Sequence, residues 1–314
     1  MPAQSEARQS AFSASLVTAR GAAPLMPGFV LYDIDVGDGV SIRAAVAGEG
    51  APVLLLHGHP YTHITWRKIA PQLAERFAVV AADLRGYGDS SKPQGGGDHH
   101  AYSKRRMARD QVAVMRALGH ERFALVGHDR GARVAHRLTL DHPHAVSRLA
   151  LFNISPTATM YAHTDKVFAT SHFWWFFLIQ PEPLPEHMIN GDRTFFLRDH
   201  LGGQIKTPGA VEPEAFAEYL RCYDKPETVH AICEDYRAAA GIDLDHDAAD
   251  ADLRIEVPLL ALWGGKDVIA RQFDVLQTWR ERALEVSGRA LDCGHSLQEE
   301  RPDEVFEALS VFLA

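Results

Sequence analysis

The sequence predicts an α/β protein with a mostly parallel, eight-stranded sheet, helices on both faces and an inserted helical cap domain. Short, continuously apolar runs such as "PVLLLHG" (52–58) alternate with amphipathic helical patterns, as is typical of parallel sheets covered on both faces. The alternation stops at about residues 155–254, which are rich in aromatic residues and helical patterns, and it resumes at "VPLLALWGGKD" (257–267). We therefore predict a core in two parts, 28–154 and 255–314, with the cap over the carboxyl ends of the strands.

Local signals along the chain predict the individual elements. Residues 1–27 are rich in Ala, Ser and Gln without an unbroken apolar core, which favours a disordered lead over a secretory signal. Two alternating runs flank the turn signal Gly37-Asp38-Gly39, so residues 29–46 predict a hairpin. Further strands are predicted at 52–58, 77–86, 122–129, 146–153, 257–267 and 288–295, and helices at 65–77, 102–119, 130–143 and 302–314.

Composition excludes several classes of function. The 314 residues carry a formal net charge of −9 at pH 7, which gives no support for binding to nucleic acid or to an anionic membrane. No apolar run approaches the length of about 20 residues that a membrane span requires. The three cysteines form no C-x-x-C pair, so we expect neither a disulfide framework nor a zinc site, and a cytoplasmic location fits best.

The segment "GHDRG" (127–131) has the glycine spacing of a nucleophile elbow, with Asp129 in the central position. A carboxylate at the start of a helix is held ionised and can attack carbon to form an ester. Acyl transfer to a carboxylate would give a labile anhydride, so Asp129 predicts a saturated carbon with a leaving group, a halide or an epoxide oxygen. The alternative is that Asp129 only caps the helix.

Three further positions complete a catalytic set. The loop His57-Gly58-His59-Pro60 follows a buried strand, and the backbone amides of His59 and Arg130 could form an oxyanion hole. His295 follows the last strand, which is the position of the general base in the chain order nucleophile, acid, histidine. Two strand ends could supply the acid that orients it, and they hold Asn153 and Asp267. We predict Asp267, the alternative being that it is a turn residue.

At these residues the sequence resembles the α/β-hydrolase superfamily, in the branch of haloalkane dehalogenases and epoxide hydrolases with an aspartate nucleophile. The segment "DLRGYGDSSKP" (83–93) also resembles that branch. "GHDRGAR" (127–133), "QPEPLPEHMINGD" (180–192) and "CEDYRAAAGIDLDHD" (233–247) are similar to segments of haloacetate (fluoroacetate) dehalogenases. The resemblance covers nearly the whole chain from about residue 28.

The resemblance implies that Arg130 and Arg133 bind a substrate carboxylate. Their spacing places both on one helix face, within one turn of Asp129, where two guanidiniums could hold the α-carbon against the nucleophile. The alternative is that they form structural ion pairs with Asp83, Asp89 or acidic residues of the cap.

The resemblance also implies a halide site in the cap. Aligning "WWFFLIQP" (174–181) places Trp175 on the family's tryptophan, and Tyr219 falls on its tyrosine. The chain departs from the family at three positions: Trp174 stands where the family has histidine, Asn153 stands where close relatives carry the acid, and His59 stands where phenylalanine is usual. The resemblance implies that Asp267 replaces the missing acid, as in other members of the branch, and that two indoles could still bind a halide.

The predicted function is hydrolytic dehalogenation of a haloacetate or 2-haloacid to a 2-hydroxy acid, without metal or organic cofactor. The main alternative is an epoxide hydrolase that uses the same Asp129 and His295, and a non-catalytic binding protein of the same fold is a third hypothesis. An epoxide hydrolase needs acidic donors, usually tyrosines, and an indole at Trp174 cannot give up a proton. The expected partner is a small halogenated acid, and a homodimer is possible by family resemblance alone.

Overall fold

The computed structural model describes residues 15–314, which form one sheet of nine strands covered by helices. The first three strands are antiparallel to their neighbours, and every pairing from β4 onward is parallel. The spatial order of the strands is β1-β2-β3-β5-β4-β6-β7-β8-β9, with bounds β1 Val17–Ala22, β2 Val30–Asp35, β3 Ser41–Ala47, β4 Ala51–Leu56, β5 Phe77–Ala82, β6 Phe123–His128, β7 Val146–Phe152, β8 Leu259–Gly264 and β9 Val286–Leu291. The predicted mostly parallel sheet is confirmed.

The strand β1 corrects the prediction of a disordered lead at 1–27 and raises the strand count from the predicted eight to nine. It pairs with β2 at the edge of the sheet, and Arg20 forms an ion pair with Asp33 of β2. Five of its six residues are exposed, so it lacks the apolar run by which buried strands are predicted. Residues 1–14 lie outside the described part of the chain.

Fifteen α-helices surround the described sheet, and eight of them lie between β7 and β8, where the cap is expected. The helices of the core are α1 Ala70–Leu73, α2 Lys104–Ala117, α3 Arg130–Asp141, α12 Val268–Gln272, α13 Val275–Arg280, α14 Leu297–Glu300 and α15 Pro302–Phe312. The helices of the cap are α4 Thr157–Ala162, α5 Lys166–Ser171, α6 Phe173–Phe177, α7 Leu184–Gly191, α8 Arg193–Gln204, α9 Pro213–Tyr223, α10 Pro226–Ala240 and α11 Ile242–Ala249. Two short 3₁₀ turns occupy His63–Trp66 and His100–Tyr102.

The predicted helix at 65–77 is wrong in extent, since the structure has only a 3₁₀ turn and the four-residue α1 there. Pro71 lies in the first turn of α1. Proline has no backbone N–H and disfavours helical geometry in the residue before it, so a helix can begin beside Pro71 but cannot run continuously through it.

The sheet positions the functional residues because its central strands are parallel. All six residues of β6 are buried, and the side chains of Leu54, Leu55 and Leu56 in β4 are fully buried on its flank. Parallel pairing brings the carboxyl ends of β4, β6, β7 and β8 to one edge of the sheet. No helix in the described range 15–314 is long and apolar enough to cross a membrane.

Candidate active site

Asp129 lies at a sharp turn between β6 and α3, with φ of 45° and ψ of −114°. Such a conformation is strained for a residue with a side chain, and it persists because the surrounding backbone packs closely. A Cβ atom at Gly131 would lie 2.3 Å from the carbonyl oxygen of His57, and one at Gly58 would lie 2.5 Å from the Asp129 Cβ. These glycines therefore let β4 and α3 close around the turn, as the elbow pattern predicts.

The Asp129 carboxylate is buried, and its two oxygens have different surroundings. Oδ2 accepts a hydrogen bond from the backbone N–H of His59 at 3.1 Å, and Oδ1 lies 4.0 Å from Nε2 of His295. Burial alone would raise the pKa of Asp129, but the charges of His295, Arg130 and Arg133 hold it well below its usual range. The side chain accepts no hydrogen bond as a cap of α3, so the helix-cap alternative is not supported.

Nδ1 of His295 lies beside both residues that the sequence offered for this position. It lies 3.4 Å from Oδ2 of Asp267 and 2.5 Å from Nδ2 of Asn153. The Asn153 amide is itself fixed, because its Oδ1 accepts a hydrogen bond from the N–H of Gly264 at 2.8 Å. Asp267 also caps α12, since its Oδ1 accepts from the N–H of Ile269 at 2.9 Å. Asp267 supplies the negative charge beside the imidazole, and Asn153 supplies a neutral contact.

The carboxylates on either side of His295 favour its protonated form. Burial lowers the pKa of His295, but hydrogen bonding to Asp267 and the charges of Asp267 and Asp129 outweigh burial and raise it. Burial acts against ionisation of Asp267 as well, yet its contact with His295 lowers the pKa of Asp267 to about 2. Nε2 of His295 has no hydrogen-bond partner among the described residues and faces Asp129.

The backbone of His295 is held from both the cap and the core. Its N–H donates to the carbonyl oxygen of Gln204, the last residue of α8, at 3.1 Å, and its carbonyl oxygen accepts from Nε2 of His128 at 2.9 Å. The loop that carries the candidate base is therefore fixed at three points, including its contact with Asp267.

Arg130 is fully buried and forms an ion pair with the cap residue Asp235. Its Nε lies 2.8 Å from one carboxylate oxygen of Asp235, and its Nη2 lies 2.9 Å from the other. Tyr87 and Lys104 also bind this carboxylate, while the Arg130 guanidinium lies 4.1 Å from the ring centre of Tyr236. Most of the Arg130 side chain therefore forms a structural ion pair, which was the alternative to substrate binding, although its Nη1 has no partner among residues 15–314.

Arg133 is equally buried but has no acidic partner in the described chain. Its Nη1 donates to the hydroxyl of Thr157 at 2.8 Å, its Nε makes no hydrogen bond, and the guanidinium lies 4.7 Å from the ring centre of Trp175. Burial and the charge of Arg130 lower its pKa to about 10. A buried guanidinium that forms no ion pair in the described chain, one turn from the predicted nucleophile, is suited to binding an anion.

The cap brings Trp175 and Trp174 to the site, and Tyr236 joins them. Trp175 is buried against Tyr236, with 6.5 Å between ring centres, while Trp174 is half-buried. The indole N–H groups and the Tyr236 hydroxyl make no hydrogen bond to any residue of the described range, so they remain available as donors. Burial and the charge of Asp129 raise the pKa of Tyr236, which keeps its hydroxyl protonated.

The prediction that Tyr219 joins this halide site requires correction. The Tyr219 hydroxyl donates a hydrogen bond to the buried carboxylate of Glu299 and also contacts Arg67, and its ring packs against Tyr61. Its donor is therefore already used outside the group formed by Trp174 and Trp175. Tyr236, seventeen positions further along in the cap, has the free hydroxyl instead.

Sequence reasoning also missed four other residues of the site. Asp235 precedes Tyr236 in the segment 233–247. From the sequence, that segment was singled out only for its similarity to a family, and no role was assigned to Asp235. The hydroxyl of Tyr161 is buried and unpartnered, and the charges of Arg130 and Arg133 act on it. His172 and His200 lie near Asp129 and His295, but nothing in the sequence separates them from the other histidines, which number 17 in all.

Metal binding finds little support in the described residues. The one group whose ligand atoms lie within 4.8 Å of one another there is Asp89, Glu218 and Cys222. The guanidinium of Arg221 already pairs with both of these carboxylates, at 2.7 Å each. A positive charge at the centre of the group disfavours a second cation.

Comparison with known proteins agrees with this architecture. The family described as the alpha/beta hydrolase fold matches residues 51–302. A fluoroacetate dehalogenase from Burkholderia sp. is 40% identical over 291 residues, which cover 92% of this chain and 95% of that protein. The solved structure of a candidate acyltransferase from Salmonella enterica is 58% identical, covers 94% of this chain and 98% of that one, and has a TM-score of 0.93.

A third relative has a different stated activity. The solved structure of a candidate epoxide hydrolase from Pseudomonas aeruginosa is 44% identical, covers 93% of this chain and 97% of that one, and has a TM-score of 0.87. Similarity over nearly the full length, together with the elbow at Asp129 and the helical cap, leads to one conclusion. The chain belongs to the α/β-hydrolase family, in the branch that includes fluoroacetate dehalogenase and epoxide hydrolases.

Proposed function

We propose that this protein is a hydrolytic dehalogenase that converts a short 2-haloacid to a 2-hydroxy acid. The observation that carries the proposal is Arg133, a buried guanidinium that has no acidic partner in the described chain and lies one helical turn from Asp129. A substrate carboxylate would supply the missing negative charge and would place its α-carbon beside the nucleophile. The Burkholderia relative that is named a fluoroacetate dehalogenase supports this choice.

Binding would use donors that are unpartnered in the free protein. Nε of Arg133, Nη1 of Arg130 and the hydroxyl of Tyr161 are buried and have no hydrogen-bond partner among residues 15–314. Asp235 holds Arg130 in place from the cap side, so Arg130 contributes one fixed N–H rather than a free charge. The three donors are suited to the oxygens of one carboxylate.

The first chemical step is displacement of the halide. Oδ1 of Asp129 attacks the α-carbon from the side opposite the halogen, and the electron pair of the carbon–halogen bond leaves with the halide. The indole N–H groups of Trp174 and Trp175 and the hydroxyl of Tyr236 stabilise the departing anion in this proposal. The product of this step is an ester between Asp129 and the substrate.

The second step is hydrolysis of that ester. Nε2 of His295 takes a proton from a water molecule, which attacks the carboxyl carbon of Asp129. The negative charge then develops on Oδ2, which already accepts a hydrogen bond from the N–H of His59, and the N–H of Arg130 at the first position of α3 is the second donor. Collapse breaks the bond between the carboxyl carbon and the ester oxygen, and the proton on His295 passes to the departing alkoxide. The carboxyl group of Asp129, which now carries the oxygen of the water molecule, then loses its proton to solvent and becomes a carboxylate again.

An epoxide hydrolase is the second candidate, supported by the relative from Pseudomonas aeruginosa. Epoxide opening needs acidic donors for the alkoxide, and Tyr236 supplies one free phenol beside Asp129. A neutral epoxide, however, leaves the Arg133 charge without a counter-ion. Acyl transfer, suggested by the Salmonella relative, fits poorly with a carboxylate nucleophile because the intermediate would be an anhydride.

The deciding experiment compares chloride release from chloroacetate, fluoride release from fluoroacetate and diol formation from styrene oxide. We expect halide release, faster for chloride because fluoride is the poorer leaving group, and little diol. A His295→Asn variant should accumulate the ester, seen as added mass on the peptide that contains Asp129. Diol formation without halide release would instead establish the epoxide hydrolase.

A further inference from the structure

Six aromatic side chains form a closed ring of contacts beside Asp129. In the order Trp175, Tyr236, His59, His200, Trp174 and His172, neighbouring ring centres are 6.5, 5.7, 4.7, 4.7, 5.1 and 5.9 Å apart, the last distance closing the ring back to Trp175. The proposed mechanism uses the indoles and the phenol. It does not use the imidazoles.

His59 and His200 are the two imidazoles in direct contact. Their ring planes meet at 63°, and the two side chains come from different parts of the chain, the loop after β4 and the cap helix α8. Both ring nitrogens of His59 and Nε2 of His200 are buried and have no hydrogen-bond partner in the described chain. A phenylalanine would fill the same space without leaving buried polar atoms unpaired, so packing alone does not explain these residues.

Both imidazoles are neutral at physiological pH. Burial lowers the pKa of His59 to about 3, although the charge of Asp129 acts in the opposite direction. Burial likewise lowers the pKa of His200, and the nearby His59 and His295 lower it further. A neutral imidazole offers one N–H donor and one nitrogen acceptor, so the pair matches a group that both donates and accepts.

We infer that His59 and His200 form a binding subsite for an uncharged oxygen substituent, a hydroxyl on the third carbon of the 2-haloacid. The inference rests on the proposed function for the anchoring of the substrate carboxylate at Arg133. A second carboxylate would fit the pair poorly, because it would be buried near the negative charges of Asp129 and Asp235, and the nearby Arg130 is already paired with Asp235. The favoured substrate class is therefore a 2-halo-3-hydroxy acid, whereas a haloacetate would leave this subsite unused.

The test uses the reaction products, because their binding needs no turnover. Lactate and glycerate are the 2-hydroxy acids that differ only by the hydroxyl on the third carbon, and calorimetric titration gives both dissociation constants. We expect the unaltered protein to bind glycerate about 10-fold more tightly than lactate. His59→Phe and His200→Phe should each bring this ratio close to 1 while lactate affinity stays unchanged, which also shows that the variants are folded.

His187→Phe is the matched control, because His187 is an exposed histidine of the cap helix α7 and should leave the ratio unchanged. Equal affinities for glycerate and lactate in the unaltered protein, no binding of either, or a preference that survives both His→Phe changes would overturn the inference. Preferential binding of glycerate without halide release from any 2-haloacid would leave the subsite standing and contradict the dehalogenase. Halide release without that preference would do the reverse.

Discussion

The core wall and the cap wall of the site differ in how their polar side chains are held. On the core side, the side chains of Asp129, Asp267 and Asn153 each accept a hydrogen bond from a backbone N–H group, and His295 is held through its backbone. On the cap side, Tyr161, His172 and His200 keep buried polar atoms without partners in the described chain. The difference indicates that the core holds Asp129 and His295 in place before a ligand binds, while the free donors of the cap add to those of Arg130 and Arg133.

Asp129→Asn should produce the largest effect, because it removes the proposed nucleophile on the core wall. We expect turnover of chloroacetate to fall by a factor on the order of 10⁴ or more. Chloride release by the purified variant gives the measurement, with mass spectrometry to exclude conversion of the new asparagine back to aspartate. Substantial turnover by a variant shown to be free of such conversion would contradict the assignment of Asp129.

Asp267→Asn should have the next largest effect, since His295 would lose the charge that orients it. We expect the turnover number to fall about 10²-fold to 10³-fold, with Asn153 still in contact with the imidazole. The matched control is Asp292→Asn. Asp292 is an exposed carboxylate three positions before His295, so this change should leave turnover unchanged. Equal losses in the two variants would exclude a positioning role for Asp267.

The same change should move the pH dependence in a defined direction. Neutral His295 is needed to deprotonate water, so ester hydrolysis falls as the pH is lowered through the pKa of His295. That pKa is raised by Asp267 and by Asp129 in the free protein, and the ester removes the Asp129 charge. The acid limb of hydrolysis should therefore lie at lower pH than the NMR titration of His295 in the free protein, and lower still in Asp267→Asn. Coincident values would refute this electrostatic account.

Arg133→Met and Arg130→Met should separate the two arginines. Loss of the Arg133 charge should lower kcat/KM for chloroacetate about 10²-fold, with a free energy of unfolding that is unchanged or higher, because no ion pair is broken. Arg130→Met should lower the free energy of unfolding by about 3–5 kcal/mol, since it leaves the buried Asp235 without its main partner. Urea titrations give the free energies of unfolding, and steady-state kinetics give kcat/KM. Similar losses of stability in the two variants would contradict the different roles assigned to the two arginines.

Trp174→His should have the smallest effect, and it probes the cap wall alone. Trp174 is half-buried and packs against His200 of the cap, so the smaller imidazole should not disturb the core wall. A stronger donor at this position should raise the rate of fluoride release relative to chloride release about 2-fold to 10-fold. An unchanged ratio would show that this position does not contact the halide.

The core half of the site could be predicted from the sequence because its signals are local. Asp129 sits in a short glycine pattern, and His295, Asn153 and Asp267 follow strands whose carboxyl ends must meet at one sheet edge. Asn153 and Asp267 were treated as alternatives from the sequence, so the contact of both with one imidazole was not predicted. They do so because they lie at the ends of adjacent strands.

The cap half could not be predicted in the same way, because helices offer no comparable anchor. Tyr219 and Tyr236 both lie on buried faces of cap helices, and only the three-dimensional packing shows that Glu299 takes up the hydroxyl of Tyr219. The backbone amide of His59 was predicted for the oxyanion hole, but its side chain was noted only as a departure from the family, and the contact of that side chain with His200 joins a core loop to a cap helix. The edge strand β1 was missed because its residues are mostly exposed.

The hydrogen bond from the N–H of His295 to the carbonyl oxygen of Gln204 ties the catalytic loop to the end of α8. A second contact reinforces it, since the N–H of Lys206 donates to the carboxylate of Glu300 at 2.9 Å. Any movement of α8 away from the sheet edge therefore pulls on the general base itself. In the proposed mechanism, opening of the cap would therefore also displace the base, and we expect the ester to be hydrolysed only while the cap is closed.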